Sequence, residues 1–73
     1  MKEVEISKAP IELFKLLKFE NMVASGGEAK YVISEGQVRV NGAVETRKRK
    51  KILAGDVVAY GGEEIQVVVK SGV

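Results

Sequence analysis

Five consecutive cations, Arg47-Lys48-Arg49-Lys50-Lys51, are the residues of this chain whose type and spacing point most directly to chemistry. Like charges side by side repel, so such a run contributes little to folding and suits a polyanionic ligand. The rest of the chain has seven Lys or Arg against ten Asp or Glu, so without the run the net charge of +2 becomes −3. Positive charge concentrated in this way is the footprint of a nucleic-acid binder, whereas the bland use of the same residues is a solvated loop. In an extended run Arg47, Arg49 and Lys51 point to one side and Lys48 and Lys50 to the other, so roughly three cations address one ligand surface.

The composition argues against catalysis. There is no histidine and no cysteine, which removes the commonest general base, the thiolate nucleophile and the usual zinc ligands. No paired carboxylates stand at a convincing catalytic spacing, so we expect a binding protein with no cofactor and no metal. Seventy-three residues make a single domain, 1–73, with one core. Folding at this length removes only about 60% of the unfolded surface, and no disulfide adds to stability. No apolar stretch approaches the roughly 18 residues of a membrane span, and the charged start Met1-Lys2-Glu3 does not resemble a signal peptide. A cytoplasmic monomer without membrane contact is the simplest expectation.

With two Tyr, two Phe and no Trp, stacking platforms for bases are scarce. Recognition of structured RNA by shape and phosphate geometry is therefore expected ahead of base reading. Tyr31 is the stacking candidate nearest the run, although a helix tyrosine more often belongs partly to the core.

The elements that must position these groups follow from the hydrophobic pattern. Val4 and Ile6 alternate with charges over Lys2–Ile6 and predict a strand. Pro10 suits the first position of a helix, and Ile11, Leu13, Phe14, Leu16 and Leu17 give helical spacing, predicting a first helix over 10–19. Ser25 with Glu28 forms a capping box, Ala29, Val32 and Ile33 form a buried stripe, and Gly36 ends the second helix. Gly26-Gly27 in its first turn gives up to about 2 kcal/mol of helix propensity relative to alanine. Two uses would explain the pair: bare N–H groups for phosphate at the positive end of the helix dipole, or close packing against another element. Lys30 projects about one turn further on.

Beyond Gly36 the pattern becomes β. Gln37 and Arg39 alternate with Val38 and Val40, and Arg39 is able to make a bidentate phosphate contact. Asn41-Gly42 marks a hairpin, with Asn41 chiefly a turn residue. A two-residue turn pairs Val40 with Ala43 and sets Val44 opposite Arg39. A three-residue loop with Gly42 as a bulge pairs Val38 with Val44, and hydrophobic matching favours it. A turn at Leu53–Asp56 leads into a strand over Val57–Tyr60, and Gly61-Gly62 into another over Ile65–Lys70. The reading is α+β: two helices packed on a small, bent, mostly antiparallel sheet with an N-terminal strand.

The order Ser25-Gly26-Gly27-Glu28-Ala29-Lys30, Ile33, Gly36 through Gly42 and Gly55-Asp56 resembles the ribosomal S-four-type RNA-binding domain, over about residues 10 to 60. The glycine pair and Glu45-Thr46-Arg47-Lys48-Arg49 look like its small free-standing bacterial members. The resemblance implies two helices against a bent sheet, with the second helix and the following hairpin (the αL motif) facing ribosomal, transfer or another structured RNA, and no catalysis. Carried over by position, it implies RNA contacts at Ser25, Gly26, Gly27 and Lys30, at Gln37, Arg39 and Asn41, and at Arg47, Lys48, Arg49 and Lys51. Larger members carry Arg-Leu-Asp where this chain has Ile11-Glu12-Leu13 after Pro10, and arginine where it has Gly26, so two phosphate contacts of those members are missing. The small β-rich pattern also resembles ubiquitin-like sulfur carriers, but Ser71-Gly72-Val73 lacks their reactive Gly-Gly terminus. A protein-interaction module binding an acidic partner is the remaining alternative.

Overall fold

The computed structural model describes residues 1–7 and 9–69. Val4 and Ile6 point inward from β1 (Lys2–Ile6), which lies parallel to β7 (Glu63–Val69) with Val4 opposite Val67. The other pairings are antiparallel. β7 pairs with β6 (Val57–Tyr60), β6 with β3 (Arg39–Val40), and β3 with β4 (Ala43–Val44), giving the order β1-β7-β6-β3-β4. Lys70 to Val73, including the end of the strand expected over Ile65–Lys70 and the terminus weighed against the carrier family, lie outside the described residues.

Two helices cover one face of this sheet. α1 (Leu13–Phe19) contributes Leu13, Leu16 and Leu17, and α2 (Gly26–Ser34) contributes Ala29, Val32 and Ile33, all buried. They meet Val4, Ile6, Val40, Val58, Ile65 and Val67 from the sheet, and Val38 just ahead of β3, in one core. Removing a large member such as Leu16 by substitution with alanine would destabilise the fold by about 2–5 kcal/mol.

Three expectations need correction. The first helix does not begin at Pro10. Ile11–Glu12 instead forms a two-residue strand, β2, paired antiparallel with β5 (Lys51–Ile52), with half-buried Ile11 opposite buried Ile52. The helix starts at Leu13 because its first two N–H groups find acceptors outside it: Leu13 donates to the Lys50 carbonyl at 2.9 Å and Phe14 to the Lys48 carbonyl at 3.1 Å.

The hairpin takes the two-residue turn, not the bulge. Val40 pairs with Ala43 and Arg39 with Val44, and Asn41 (φ 53°) and Gly42 (φ 84°) both adopt left-handed backbone, as the tight turn between twisted strands requires. Hydrophobic matching loses because Asn41 is tied down elsewhere, as described below. Val44 remains 54% exposed, and its methyl lies 3.5 Å from where a Gly36 side chain would begin.

The cationic run is not extended. Lys50 N–H bonds back to the Arg47 carbonyl at 3.1 Å, so residues 47–50 turn, and the side chains do not alternate.

Candidate nucleic-acid interface

The turn at 47–50 is held from two sides. Its carbonyls satisfy the first N–H groups of α1, and Glu45 anchors its beginning. Glu45 is 9% exposed, and its carboxylate accepts the Arg47 backbone N–H at 2.9 Å, Nε at 2.9 Å and Nη2 at 3.1 Å. These bonds from Arg47 hold the Glu45 carboxyl well below the usual carboxylate range, at about 2, and raise Arg47 in turn. The Glu45 carboxylate thus fixes where the cationic turn starts, and Arg47 is left partly neutralised.

Arg47, Arg49, Lys50 and Lys51 line one open concavity of about 330 Å³. Lys48 does not line it. The alternation argument set Lys50 apart from Arg49 and Lys51, whereas here it lines the same concavity, because a turn sets side-chain directions by its own dihedrals and not by period two.

The patch extends across the start of α1. Glu12, cross-strand partner of Lys51, sits at the N-cap of α1 and bonds Lys15 at 3.2 Å. The Lys15 bond lowers the Glu12 carboxyl most, burial opposes it, and the charges of Lys15, Arg49 and Lys51 lower it further. The Phe14 ring, next in the chain, carries the Lys30 ammonium 4.8 Å from its centroid and that of Lys15 at 5.9 Å. Lys30 of α2 is thereby brought to the end of α1 that the basic turn caps.

At the start of α2, Ser25 Oγ accepts the Glu28 N–H at 3.1 Å, and the Glu28 carboxylate folds back to accept the Ala24 N–H at 2.6 Å. Glu28 is thus occupied by the cap and does not project over the helix end. A Cβ at Gly26 would meet nothing within 4 Å, and one at Gly27 only Ser25 Oγ at 3.9 Å. Close packing accordingly does not account for the glycine pair.

The hairpin residues stand apart from this cluster. Gln37 is exposed where α2 ends, its N–H donating to the Val32 carbonyl at 3.1 Å while Gly36 (φ 75°) donates to Ile33 at 3.0 Å. Arg39 is exposed on β3, opposite Val44 and Ala59, and makes no side-chain hydrogen bond or ion pair to the turn at 47–50 among the described residues. Asn41 uses both ends of its amide internally, donating to Asp56 Oδ1 at 3.0 Å and accepting the Val57 N–H at 2.9 Å. One N–H and one lone pair of the amide are thereby engaged within the fold, which ties the side chain to the turn it serves.

Lys15, Lys50 and Phe14 belong to the cluster and were not among the residues expected there. The i, i+3 spacing of Glu12 and Lys15 was a legible signal for the first. The second needed the turn, and the third needed the packing of α1 against α2.

The chain matches the S4 domain family over residues 4–68. It is 52% identical over 69 residues to YbcJ, a candidate RNA-binding protein of Escherichia coli (strain K12), covering 93% of this chain and 99% of YbcJ. The solution structure of YbcJ, described as revealing an αL motif involved in RNA binding, superposes with a TM-score of 0.70 over 93% of this chain and 87% of that one. RlbA of Bacillus subtilis (strain 168), a candidate ribosome maturation protein, is 37% identical over 59 residues, covering 81% of this chain and 83% of RlbA. A tyrosine–tRNA ligase of Cupriavidus pinatubonensis is 38% identical over 60 residues, which is 82% of this chain and 14% of the ligase.

Proposed function

The chain belongs to the S4 domain family, and on that footing we propose that it binds structured RNA without catalysing a reaction. The observation that carries this reading is the concavity lined by Arg47, Arg49, Lys50 and Lys51, on a chain whose remaining charge is negative. Bonds within the fold hold that loop: Glu45 fixes its start, and the Lys48 and Lys50 carbonyls are bonded into α1. A loop held this firmly presents phosphate-binding groups at fixed spacing, which lowers the ordering entropy paid on binding.

Arg49, Lys50 and Lys51 make the main phosphate contacts, with Arg47 reduced by Glu45. Lys30, placed by Phe14, extends the track toward α2, where Gly26 and Gly27 offer uncovered backbone. Ser25 acts through the cap it forms, and Gln37 and Arg39 reach only an RNA large enough to wrap round to the hairpin. YbcJ and its αL motif support the RNA class, and the RlbA name makes ribosomal RNA the first class to test.

The test is crosslinking in cells followed by sequencing of the recovered RNA, beside a variant with Arg49, Lys50 and Lys51 changed to glutamate. Enrichment of discrete structured RNAs over that variant is expected. Recovery equal to the variant would turn the assignment toward an acidic protein partner.

A further inference from the structure

Tyr31 lies off the buried stripe of α2, on the face it shares with Gly27, Glu28, Ser34 and Glu35, and is 61% exposed. The expectation that a helix tyrosine belongs partly to the core therefore fails here, and Tyr31 is left as an exposed aromatic on a domain where such surfaces are scarce. Long side chains on a helix lean toward its N-terminus, over the residue four positions earlier. For Tyr31 that residue is Gly27, which has no side chain, and even a Cβ there would come within 4 Å only of Ser25 Oγ. No side chain at residue 27 therefore stands between the start of α2 and Tyr31. Its chain neighbour Lys30 is held over Phe14, whose own N–H is bonded to Lys48 in the basic turn. An exposed aromatic one residue along the helix from a positioned cation can hold a base while the cation meets a phosphate of the same strand.

We propose that Tyr31 is the stacking platform for one unpaired nucleobase of the bound RNA, the adjoining phosphate meeting Lys30. The inference rests on the RNA-binding reading above and deepens it: the ligand is RNA with a loop, bulge or free end, not a continuous duplex. It also gives Gly27 a purpose, since a side chain there would stand beside the entering base. Stacking on a π-face is tolerant of base identity, so the preference is for an unpaired nucleotide and not for a sequence.

The full chain is titrated at fixed salt with a blunt RNA duplex and with the same duplex carrying one unpaired nucleotide, using the parent, Tyr31→Ala, Tyr31→Phe and Arg49→Ala. The parent should prefer the bulged RNA. Tyr31→Ala should lose about tenfold on the bulged RNA and little on the duplex, while Tyr31→Phe keeps the preference. Arg49→Ala should weaken both RNAs alike. Tyrosine emission gives a second readout, because Tyr60, the other tyrosine, is half-buried: bulged RNA should quench the parent but not Tyr31→Phe. Equal binding of bulged RNA by parent and Tyr31→Ala, with Arg49→Ala still weakened, would overturn the stacking site and leave RNA binding standing. Failure of the parent to bind either RNA would overturn both.

Discussion

The Asn41 side chain reaches 15 residues along the chain to Asp56, donating to its carboxylate at 3.0 Å, and 16 residues to the Val57 N–H, which it accepts at 2.9 Å. The second Asp56 oxygen accepts the Leu53 N–H at 2.8 Å. One amide and one carboxylate thus lock the β3–β4 turn to the turn that opens β6, which is why Asn-Gly and Gly-Asp occur together in this chain. Asn41→Gly keeps the left-handed turn but removes both bonds, and should destabilise by about 1–2 kcal/mol. Asp56→Ala should do the same, and the double variant should fall short of the sum by about the one bond the two residues share, roughly 0.5–1.5 kcal/mol. Urea denaturation of the four proteins measures this, and strictly additive losses would show that the two residues act independently.

Gly36 closes α2 with the paired bonds Gly36 N–H to Ile33 and Gln37 N–H to Val32, in left-handed backbone that a β-branched residue resists. Gly36→Val should cost more than about 1 kcal/mol, because of its left-handed φ and not of crowding: the Val44 methyl at 3.5 Å is at ordinary contact distance. An unchanged melting temperature would contradict this ending of the helix.

Glu45 supplies a pH signature. Its carboxyl titrates at about 2 in the folded chain against an ordinary value of 4.5, so folding favours its ionised form. That contribution is fully present above the ordinary carboxylate range and is lost as pH falls from there toward about 2. Glu45→Gln should be less stable than the parent at neutral pH, with the gap closing across that acid window. Denaturation curves of the two proteins between neutral pH and pH 2 that ran parallel throughout would contradict the Glu45–Arg47 link.

The glycine pair separates folding from binding. Gly26→Ala and Gly27→Ala should hold or raise stability, by up to about 1 kcal/mol each, since neither new methyl meets a close neighbour. RNA affinity should nevertheless drop if bare backbone serves the phosphate track. Unchanged affinity in both variants would remove the start of α2 from the interface.

These tests also mark what a reading of the residues alone can reach. Lys2–Ile6 as a strand, the Ser25–Glu28 cap, the Gly36 stop and the Val57–Tyr60 strand were legible because each rests on local propensity or on a period of two or 3.6. The errors share one cause. Ile11–Glu12 reads as helix until Lys51–Ile52 pairs with it, and the hairpin reads as bulged until Asp56 takes the Asn41 amide. The cationic run reads as extended until its carbonyls are needed by α1. In each case a partner distant in the chain overrode a local preference. Arg47, Arg49, Lys51 and Lys30 were named as contacts from the residues alone, but Lys15, Lys50 and the grouping across Phe14 were not.

Arg49 lines the concavity and Lys48 does not, although the two are adjacent in the chain and both exposed. Titration of the parent, Arg49→Ala and Lys48→Ala with a hairpin RNA at several salt concentrations therefore tests the central claim most directly. Arg49→Ala should weaken binding and reduce the slope of log affinity against log salt by about 0.7–0.9, one phosphate contact. Lys48→Ala should change both much less, and neither variant should alter the melting temperature. Indistinguishable affinities and slopes for all three proteins, or binding with no salt dependence at all, would contradict RNA recognition by this face.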